Sequence, residues 1–476
     1  MYKLFEYQEN NLSSVIDFFD HGGKSVILNL PTGTGKSLIA SEFIKRYREQ
    51  SKPVYFITHS SNLLWQFSKH LEEFGLMHGI IKTGCPVLGY RIQVISVQSL
   101  MNRIRQIDEP FAIIAEECHH FASNQFMRIL EHWPNVKILG LTATPGRPDG
   151  KPLDMFEDII KGQSLRWFIE NYYLSDYDYF IPGDFNTEGI HKLAGEFKAD
   201  ELASRIKEDK SRIGNFVKHY ELHAKGLPSI AFGTSINDSE NIAKQFNDSG
   251  YDMVALHSKM DGDIQEYLNK AKSGILKMIS TCEIVGEGTD IKGLECMLDG
   301  RPTMSIVLQV QHWGRPLRSL YAPGYDLSTI DGRREAMQEG GKGRAQILDF
   351  SSNYLRHGLP DDEREWSLKG ATKLKTESKY KRCPNCQRPV IRVLMKCPYC
   401  EYEFPRMAEV SREPEEVEGS LIPIGSMRPE DKNGLILMIA RQANDLRQAI
   451  AIAKRHGADH RAGWFVWVKI LGKEEL

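Results

Sequence analysis

The chain has 476 residues, 41% of them hydrophobic and 26% charged, so it is long enough for two or three domains with cores of their own. Its formal net charge of −2 excludes attraction to nucleic acid by overall charge, so such binding would need local basic patches. No apolar run is long enough to cross a bilayer, and the first ten residues lack the apolar core of a signal peptide. We therefore expect a cytoplasmic protein.

The first informative segment is a glycine-rich loop between an apolar run and a helical pattern. Ser25–Leu30 reads as a buried strand, and Leu38–Tyr47 has apolar residues at helical spacing. Glycines in the loop let backbone N–H groups surround a polyphosphate, Lys36 can reach the terminal phosphates, and the Ser37 hydroxyl can bind Mg²⁺. The usual first glycine of this pattern is Leu30 here. The candidate phosphate-binding residues are Thr32, Gly33, Thr34, Gly35, Lys36 and Ser37.

Two successive sets of alternating strand and helix patterns indicate an α/β fold with parallel sheets. Tyr172–Pro182, which is rich in aromatic residues, is predicted to cross from one set to the other. Further strands of the first set are predicted at Val54–Thr58, Gln93–Val97, Phe111–Ala115 and Lys137–Leu141. Those of the second set are predicted at Ser229–Phe232, Asp252–Leu256, Lys277–Ser280, Ser305–Val310 and Ala345–Leu348.

Two polar clusters accompany these strands. Glu116 and Glu117 follow an apolar strand, where a P-loop fold holds Mg²⁺ and orients the attacking water; a solvated strand end is the alternative. Much later, Gln311–Arg318 contains Arg315 and Arg318, which are three residues apart. On one helical turn both guanidinium groups would point at the same anion, and their geometry suits phosphate.

The ordered motifs resemble those of superfamily 2 DEAD/DEAH-box helicases over about residues 1–365. The proline usual after motif V is Lys292 here, and the first acid of the D-E-x-H box is Glu116 instead of Asp. The matching segments are Tyr7-Gln8, Thr58–Gln66 (motif Ia), Ser96–Leu100 (Ib), Glu116–His119 (D-E-x-H), Thr142–Thr144 (III), Phe232–Ser235 (IV), Gly286–Asp290 (V) and Gln311–Arg318 (VI).

The resemblance implies two tandem RecA-like domains, residues 1–175 and 176–366, with ATP and Mg²⁺ between them. The implied catalytic residues are Glu116 for Mg²⁺, Glu117 for the attacking water, His119 and Gln311 for coupling, and Arg315 and Arg318 as arginine fingers. The implied nucleotide contacts outside the P-loop are Gln8, Gly288 and Asp290. Because Mg²⁺ demands near-octahedral geometry, the extra methylene of Glu116 is expected to slow turnover.

Four late cysteines form two C-x-x-C pairs ten residues apart, the spacing of a tetrahedral Zn²⁺ site with no open position. The predicted ligands are Cys383, Cys386, Cys397 and Cys400, and the other four cysteines are scattered. This usage suits a reducing compartment. Residues 367–412 are thus predicted to be a basic segment and a structural zinc ribbon. The basic residues favour phosphate contacts, with a solvated lysine-rich linker as the alternative before the ribbon.

The last region, residues 413–476, is predicted to be an acidic linker and a small α+β accessory domain that could bind a protein partner. Trp464, Phe465 and Trp467 could stack on bases, but a core role is favoured. A helicase core followed by a Cys₄ ribbon resembles prophage and phage helicases and is similar to RadD-like and UvsW-like DNA helicases.

The preferred interpretation is an ATP-dependent DNA helicase or translocase in phage or bacterial replication, recombination or repair. Single-stranded or branched DNA is the expected substrate. The alternatives are an RNA helicase and a slow-turnover, nucleotide-gated DNA-binding or recruitment factor.

Overall fold

A computed structural model describes residues 3–405 apart from 122, 148, 149, 184, 194, 195, 209, 261, 262, 283–290, 292 and 370–378, together with 449, 450 and 453. The chain divides into two compact units, Met1–Pro405 and Arg406–Leu476. Among the described residues, no helix has the length and apolar character needed to cross a bilayer. Several predicted features lie outside the described residues: Gly288, Asp290, the basic stretch 370–378, Trp464, Phe465 and Trp467.

The first part of the chain forms a seven-stranded parallel sheet. Its strands are β1 Ser25–Asn29, β2 Val54–Thr58, β3 Gly79–Ile81, β4 Ile92–Ser96, β5 Ala112–Glu116, β6 Lys137–Thr142 and β7 Asp158–Lys161. They lie in the order β3-β4-β2-β5-β6-β1-β7. The helices are α1 Glu6–Asp20, α2 Lys36–Glu49, α3 Ser61–Glu73, α4 Val97–Arg103, α5 Ser123–His132 and α6 Leu165–Glu170. Along β1, Val26 and Leu28 belong to one apolar core and Ile27 to another, so both faces of the sheet are covered.

A second, six-stranded parallel sheet follows. Its strands are β8 Tyr177–Phe180, β11 Ser229–Phe232, β12 Met253–Leu256, β13 Met278–Thr281, β14 Cys296–Asp299 and β15 Ala345–Asp349, and a separate hairpin contains β9 Lys192–Leu193 and β10 Glu196–Phe197. The order is β12-β13-β11-β14-β15-β8. The helices are α7 Ala199–Glu208, α8 Lys210–His223, α9 Ile236–Asp248, α10 Ile264–Lys272, α11 Ile306–Trp313, α12 Ile330–Glu339 and α13 Asn353–His357. The predicted α/β class with two RecA-like domains is confirmed.

One predicted strand is wrong. Ser305–Val310 is not in the sheet; it begins helix α11, where the Ser305 hydroxyl accepts the Leu308 backbone N–H at 3.3 Å. The place in the sheet belongs to β14, which pairs with β11 and β15. A short apolar run does not distinguish a buried strand from a buried helix, and the capping serine decides for the helix.

The segment 358–369, here called the return segment, runs from the second sheet back to the first. The Leu153 backbone N–H donates to the Leu368 carbonyl at 2.7 Å. Trp366 packs on Gly146, where a Cβ would lie 3.2 Å from the indole ring. The return segment therefore connects the end of the second domain to the loop that follows motif III.

The ribbon is a small antiparallel hairpin, β16 Tyr380–Arg382 and β17 Pro389–Ile391. It contacts the carboxyl end of β8, because the Ile181 backbone N–H donates to the Gln387 carbonyl at 2.8 Å. Arg388 also pairs with Asp178 at 3.1 Å. These contacts fix the cysteine-bearing hairpin to the edge strand of the second sheet.

Candidate nucleotide-binding cleft

The P-loop connects the carboxyl end of β1 to α2. Gly33 and Gly35 have φ of +86° and +78°, which glycine adopts without steric cost. Helix α2 begins at Lys36, whose buried ammonium donates to the carbonyl oxygens of Leu30 and Pro31 at 3.2 and 3.3 Å. The loop thus presents the amino end of a helix and one lysine, the features that bind phosphate.

Two side chains at the start of α1 support this loop. The Tyr7 hydroxyl and the Gln8 amide donate to the Thr34 carbonyl at 2.7 and 3.2 Å. Both side chains are buried, and burial raises the pKa of Tyr7 so that its hydroxyl keeps its proton. Gln8 also lies so close to Gly35 that a Cβ there would overlap its amide. Gln8, which was predicted to contact the nucleotide, therefore contacts the P-loop directly. Tyr7 also supports the P-loop, a role that the sequence did not indicate.

The acidic residues lie at the carboxyl end of β5, two strands away in the same sheet. Glu116 is the last residue of the strand and is 7% exposed. Glu117 adopts a left-handed backbone, φ 47° and ψ 54°, which costs about 1–3 kcal/mol in a non-glycine residue. A one-turn 3₁₀ helix, Cys118–His120, follows.

Thr142 of motif III connects this turn to β6. Its hydroxyl donates to Glu117 Oε2 at 3.1 Å and accepts the Thr144 backbone N–H at 3.0 Å. His119 Nδ1 lies 2.9 Å from the same hydroxyl and 3.4 Å from Glu117 Oε2. Because the hydroxyl has one proton and gives it to the carboxylate, Nδ1 of His119 is the donor. The network joins the D-E-x-H box to motif III.

Motif VI packs on the P-loop from the second domain. A Cβ at Gly314 would lie 2.6 Å from the Thr32 Cβ, and one at Gly33 would lie 3.2 Å from Cγ of Arg318. The backbone of Arg318 forms a β-bridge with Leu174. Only glycine at position 314 allows this close approach, which brings motif VI to the phosphate-binding loop.

The predicted placement of both arginines on one helical turn is wrong. Helix α11 ends at Trp313, Arg315 lies in the turn that follows, and Arg318 lies in the β-bridge to Leu174. Pro316 between them has no N–H to continue the helix. Arg315 is 5% exposed, whereas Gln311 lies half-buried on α11.

A buried lysine holds the loop of motif VI. Lys342 Nζ donates to the Pro316 carbonyl at 2.8 Å and to the Arg318 carbonyl. Burial, with a smaller contribution from Arg318, lowers the pKa of Lys342 to about 7, and Glu295 opposes the shift. Nothing in the local sequence, Gly341–Gly343, indicated this role.

The return segment touches motif VI as well. Arg364 lies over the ring of buried Trp313, with the guanidinium carbon 5.3 Å from the ring centroid. It also donates to the carbonyls of Leu359 and Pro360 at 2.7 and 2.9 Å. Trp313 directly precedes Gly314, so Arg364 supports the helix end from which motif VI leaves. Sequence reasoning missed this contact too.

The four predicted zinc ligands lie together. All four Sγ atoms are within 4.8 Å of one another, and Cys383–Cys400 and Cys386–Cys397 are 3.6 and 3.7 Å apart. Tetrahedral sulfur ligands about 2.3 Å from zinc lie about 3.8 Å from each other. The cluster therefore fits zinc, and its separations are too long for disulfides.

The structure brings together the P-loop, Gln8, the Glu117–His119–Thr142 network and Arg318. This is the cleft of a P-loop ATPase built from two RecA-like domains. Residues 1–147 match the family described as "Type III restriction enzyme, res subunit". The "51.5 kDa protein" of a Lactococcus phage is 26% identical over 79% of this chain and 78% of its own length.

The "Putative mitochondrial ATP-dependent helicase irc3" of Schizosaccharomyces pombe is 27% identical over 80% of this chain, which spans 62% of that relative. Among solved structures, the "ATP-dependent Type ISP restriction-modification enzyme LlaBIII bound to DNA" matches with a TM-score of 0.52. It is 16% identical over 76% of this chain and 28% of its own, so it shows the fold alone. These likenesses support a superfamily 2 helicase, a class of ATP-dependent enzymes.

Proposed function

We propose that this chain hydrolyses ATP in the cleft and converts the domain movement into translocation on DNA. The observation that carries the proposal is the packing of motif VI on the P-loop, with Gly314 against Thr32 and Arg318 over Gly33. A γ-phosphate held by the P-loop would lie within reach of an arginine from the second domain. Closure and opening of the cleft would then follow the presence and loss of that phosphate.

The proposed roles follow the geometry of the cleft. Lys36 would exchange its carbonyl contacts for phosphate oxygens, and Ser37 and Glu116 would hold Mg²⁺. Glu117 orients the attacking water, and its contact with Thr142 transmits the state of the nucleotide to motif III. The phosphate site is lined by Thr32, Gly33, Thr34 and Gly35, and Gln8 lies beside it. The site is completed by His119, Gln311, Arg315 and Arg318.

DNA is the proposed track, with single-stranded or branched DNA preferred, in phage or bacterial replication, recombination or repair. Two findings support it: the matched family carries the name of a restriction enzyme, and the solved relative LlaBIII is described as bound to DNA. We also propose the domain bounds 1–175, 176–366, 367–412 and 413–476, a cytoplasmic location, and a protein partner for the last domain.

The test is an ATPase assay of the full chain with forked, single-stranded and duplex DNA and with RNA. We expect DNA to stimulate hydrolysis and Lys36→Ala to abolish it, because the lysine is the only P-loop cation between residues 30 and 37. If RNA stimulates hydrolysis more strongly than DNA does, RNA is the track in place of DNA. Bound nucleotide with negligible turnover at saturating DNA would support the recruitment factor instead.

The zinc site is proposed to be structural. All four donors are thiolates, so no coordination position is open for substrate. Chelation should unfold residues 380–405 and release one zinc per chain while leaving ATP binding unchanged. Parallel loss of nucleotide binding would contradict the independence of the ribbon from the cleft.

A further inference from the structure

The ribbon is attached to the second domain on one side. Arg382 donates to the Pro182 carbonyl at 3.1 Å, and the Tyr380 hydroxyl donates to the Asp362 carboxylate at 2.6 Å. With the Gln387 and Arg388 contacts described above, these bonds hold the hairpin in a fixed position. The rest of the hairpin is thereby presented from a defined site and not from a loose linker.

The turn after β17 and the second cysteine knuckle expose large apolar side chains. The exposed fractions are 51% for Ile391, 73% for Val393, 50% for Met395 and 56% for Tyr399. We call these four residues the ribbon tip. A bond of 3.0 Å from the Leu394 backbone N–H to the Ile391 carbonyl closes the turn. Four such residues within nine positions are a concentration of exposed apolar side chains, of the kind that marks an interaction site.

Positive charge is interleaved with the ribbon tip. Arg392 and Lys396 alternate with its apolar residues, and the Arg388 guanidinium lies 5.0 Å from the centre of the Tyr399 ring. Residues 379–405 contain six Lys and Arg and two Glu. The resulting charge of +4 is larger in magnitude than the net charge of −2 that zinc bound by four thiolates would have, so the ribbon remains positive. The surface therefore attracts anions while offering apolar and aromatic contacts.

Single-stranded nucleic acid is the ligand with both complementary features. Its phosphates pair with cations, and its unstacked bases offer flat apolar faces to aromatic and aliphatic side chains. A duplex offers phosphates but keeps its base faces stacked inside. The mixed chemistry of the ribbon tip thus favours a single strand over a duplex.

We propose that the ribbon tip binds single-stranded nucleic acid, with Tyr399 and its aliphatic neighbours on the bases and Arg392 and Lys396 on the phosphates. The choice of ligand rests on the proposed function. The ribbon tip would hold the strand at a place separate from the carboxyl ends of the first sheet, where motifs Ia and Ib lie. It would raise affinity for a single strand without taking part in hydrolysis.

The test compares the full-length protein with a triple variant, Ile391→Ser, Val393→Ser and Met395→Ser. The probes are a labelled 30-nucleotide oligo-dT and a 30-base-pair duplex, and the readout is fluorescence anisotropy without nucleotide. We expect the Kd for oligo-dT to rise about tenfold and the Kd for the duplex to stay unchanged. The matched control is Leu222→Ser with Ile275→Ser, two side chains 65% and 75% exposed elsewhere on the second domain. Zinc content confirms that each ribbon is folded.

A charge variant tests the phosphate contacts separately. For Arg392→Ala with Lys396→Ala, the slope of log K against log salt for oligo-dT should become about 1.4 less steep, since each phosphate contact on a single strand contributes about 0.7. An unchanged Kd in the triple variant overturns the proposal. In that case, faster proteolysis of residues 406–476 in the triple variant would show that the ribbon tip contacts the last domain. An altered oligomeric state of the variant would show that the ribbon tip contacts a second copy of the chain.

The ATPase assay separates this proposal from the proposed function. If the triple variant needs more DNA for half-maximal stimulation but reaches the same maximum, both proposals stand. If the wild-type protein binds oligo-dT through the ribbon tip but no nucleic acid stimulates hydrolysis, the proposed binding site is supported and the proposed translocase function is contradicted. If stimulation is normal and independent of the ribbon tip, only the binding site fails.

Discussion

The carboxyl ends of the two parallel sheets carry acidic residues in similar positions but with different surroundings. In the first sheet, Glu116 ends β5, and the adjacent Glu117 contacts the motif III hydroxyl beside the P-loop. In the second, Asp299 and Asp349 end neighbouring strands β14 and β15 and are fully buried. An acid at a strand end is therefore not by itself a ligand site; its hydrogen-bond partners decide its role.

The second pair, Asp299 and Asp349, forms a buried hydrogen-bond network, here called the structural lock, that stabilises the second domain. Asp349 accepts the backbone N–H groups of Ser351 and Tyr354 and the Tyr179 hydroxyl, each at 2.9 Å. Asp299 accepts the side-chain amides of Gln309 at 2.7 Å and Asn353 at 3.0 Å. Burial, and then repulsion from Asp349, raises the pKa of Asp299 well above its usual range. Since Gln309 lies on α11, this lock holds the helix that leads into motif VI.

The largest expected effect concerns the first pair. Glu117→Gln keeps the side-chain shape but removes the charge that is proposed to orient the attacking water, so kcat should fall about 10²–10⁴-fold. ATP affinity and the urea midpoint should stay close to wild type. A large loss of folding stability would show that Glu117, like Asp349, is structural.

The next expected effect concerns the second pair. Asp349→Ala leaves several buried donors without an acceptor, so the free energy of unfolding of the second domain should fall by about 3 kcal/mol. Urea denaturation measures it. Preserved stability with lost turnover would show that Asp349 has a catalytic role. The acidic residues of the two sheets would then not differ in kind.

A smaller effect is expected for Lys342→Met, which removes the donor to the Pro316 and Arg318 carbonyls. We expect about tenfold lower kcat with unchanged ATP affinity, since the contact positions Arg318 without forming the P-loop. Steady-state kinetics at saturating DNA would detect this split. A higher KM with unchanged kcat would contradict it.

The same variant has a pH signature. The folded-state pKa of Lys342 is about 7, below its ordinary value of 10.5, so the buried charge costs stability most at low pH. That cost decreases as pH rises from about 7 to 10.5. The free energy of unfolding of the wild type, relative to Lys342→Met, should therefore increase over that range. A pH-independent difference would show that Lys342 keeps its ordinary pKa in the folded protein, as a solvated lysine does.

The smallest expected effect concerns Glu116. Glu116→Asp restores the carboxylate length usual in the family, so DNA-stimulated ATPase should rise about threefold if Mg²⁺ geometry limits turnover. Both forms should bind nucleotide equally. An unchanged or lower rate would show that the cleft is adapted to the longer side chain.

The local pattern of the chain determined several features independently of any tertiary contact. Apolar runs such as Val54–Thr58 and Ser229–Phe232 match strands residue for residue, because a parallel strand covered on both faces needs a continuous apolar run. The P-loop also depends on adjacent residues, since it needs glycines, a lysine and a following helix. The zinc cluster was equally predictable, because four thiolates at fixed spacing already specify a tetrahedral site.

Other features were decided only by the tertiary structure. The sheet position between β11 and β15 is filled by β14 and not by Ser305–Val310, a pairing that a short apolar run does not specify. The contact of Gly314 with Thr32, the Lys342 bonds to the motif VI loop and the burial of Asp299 beside Asp349 join residues far apart in the chain. Their energies depend on burial and on partners supplied by other elements. The sequence by itself therefore determined which chemical groups the protein has, and the tertiary structure decided which of them meet in the cleft and which are locked in the core.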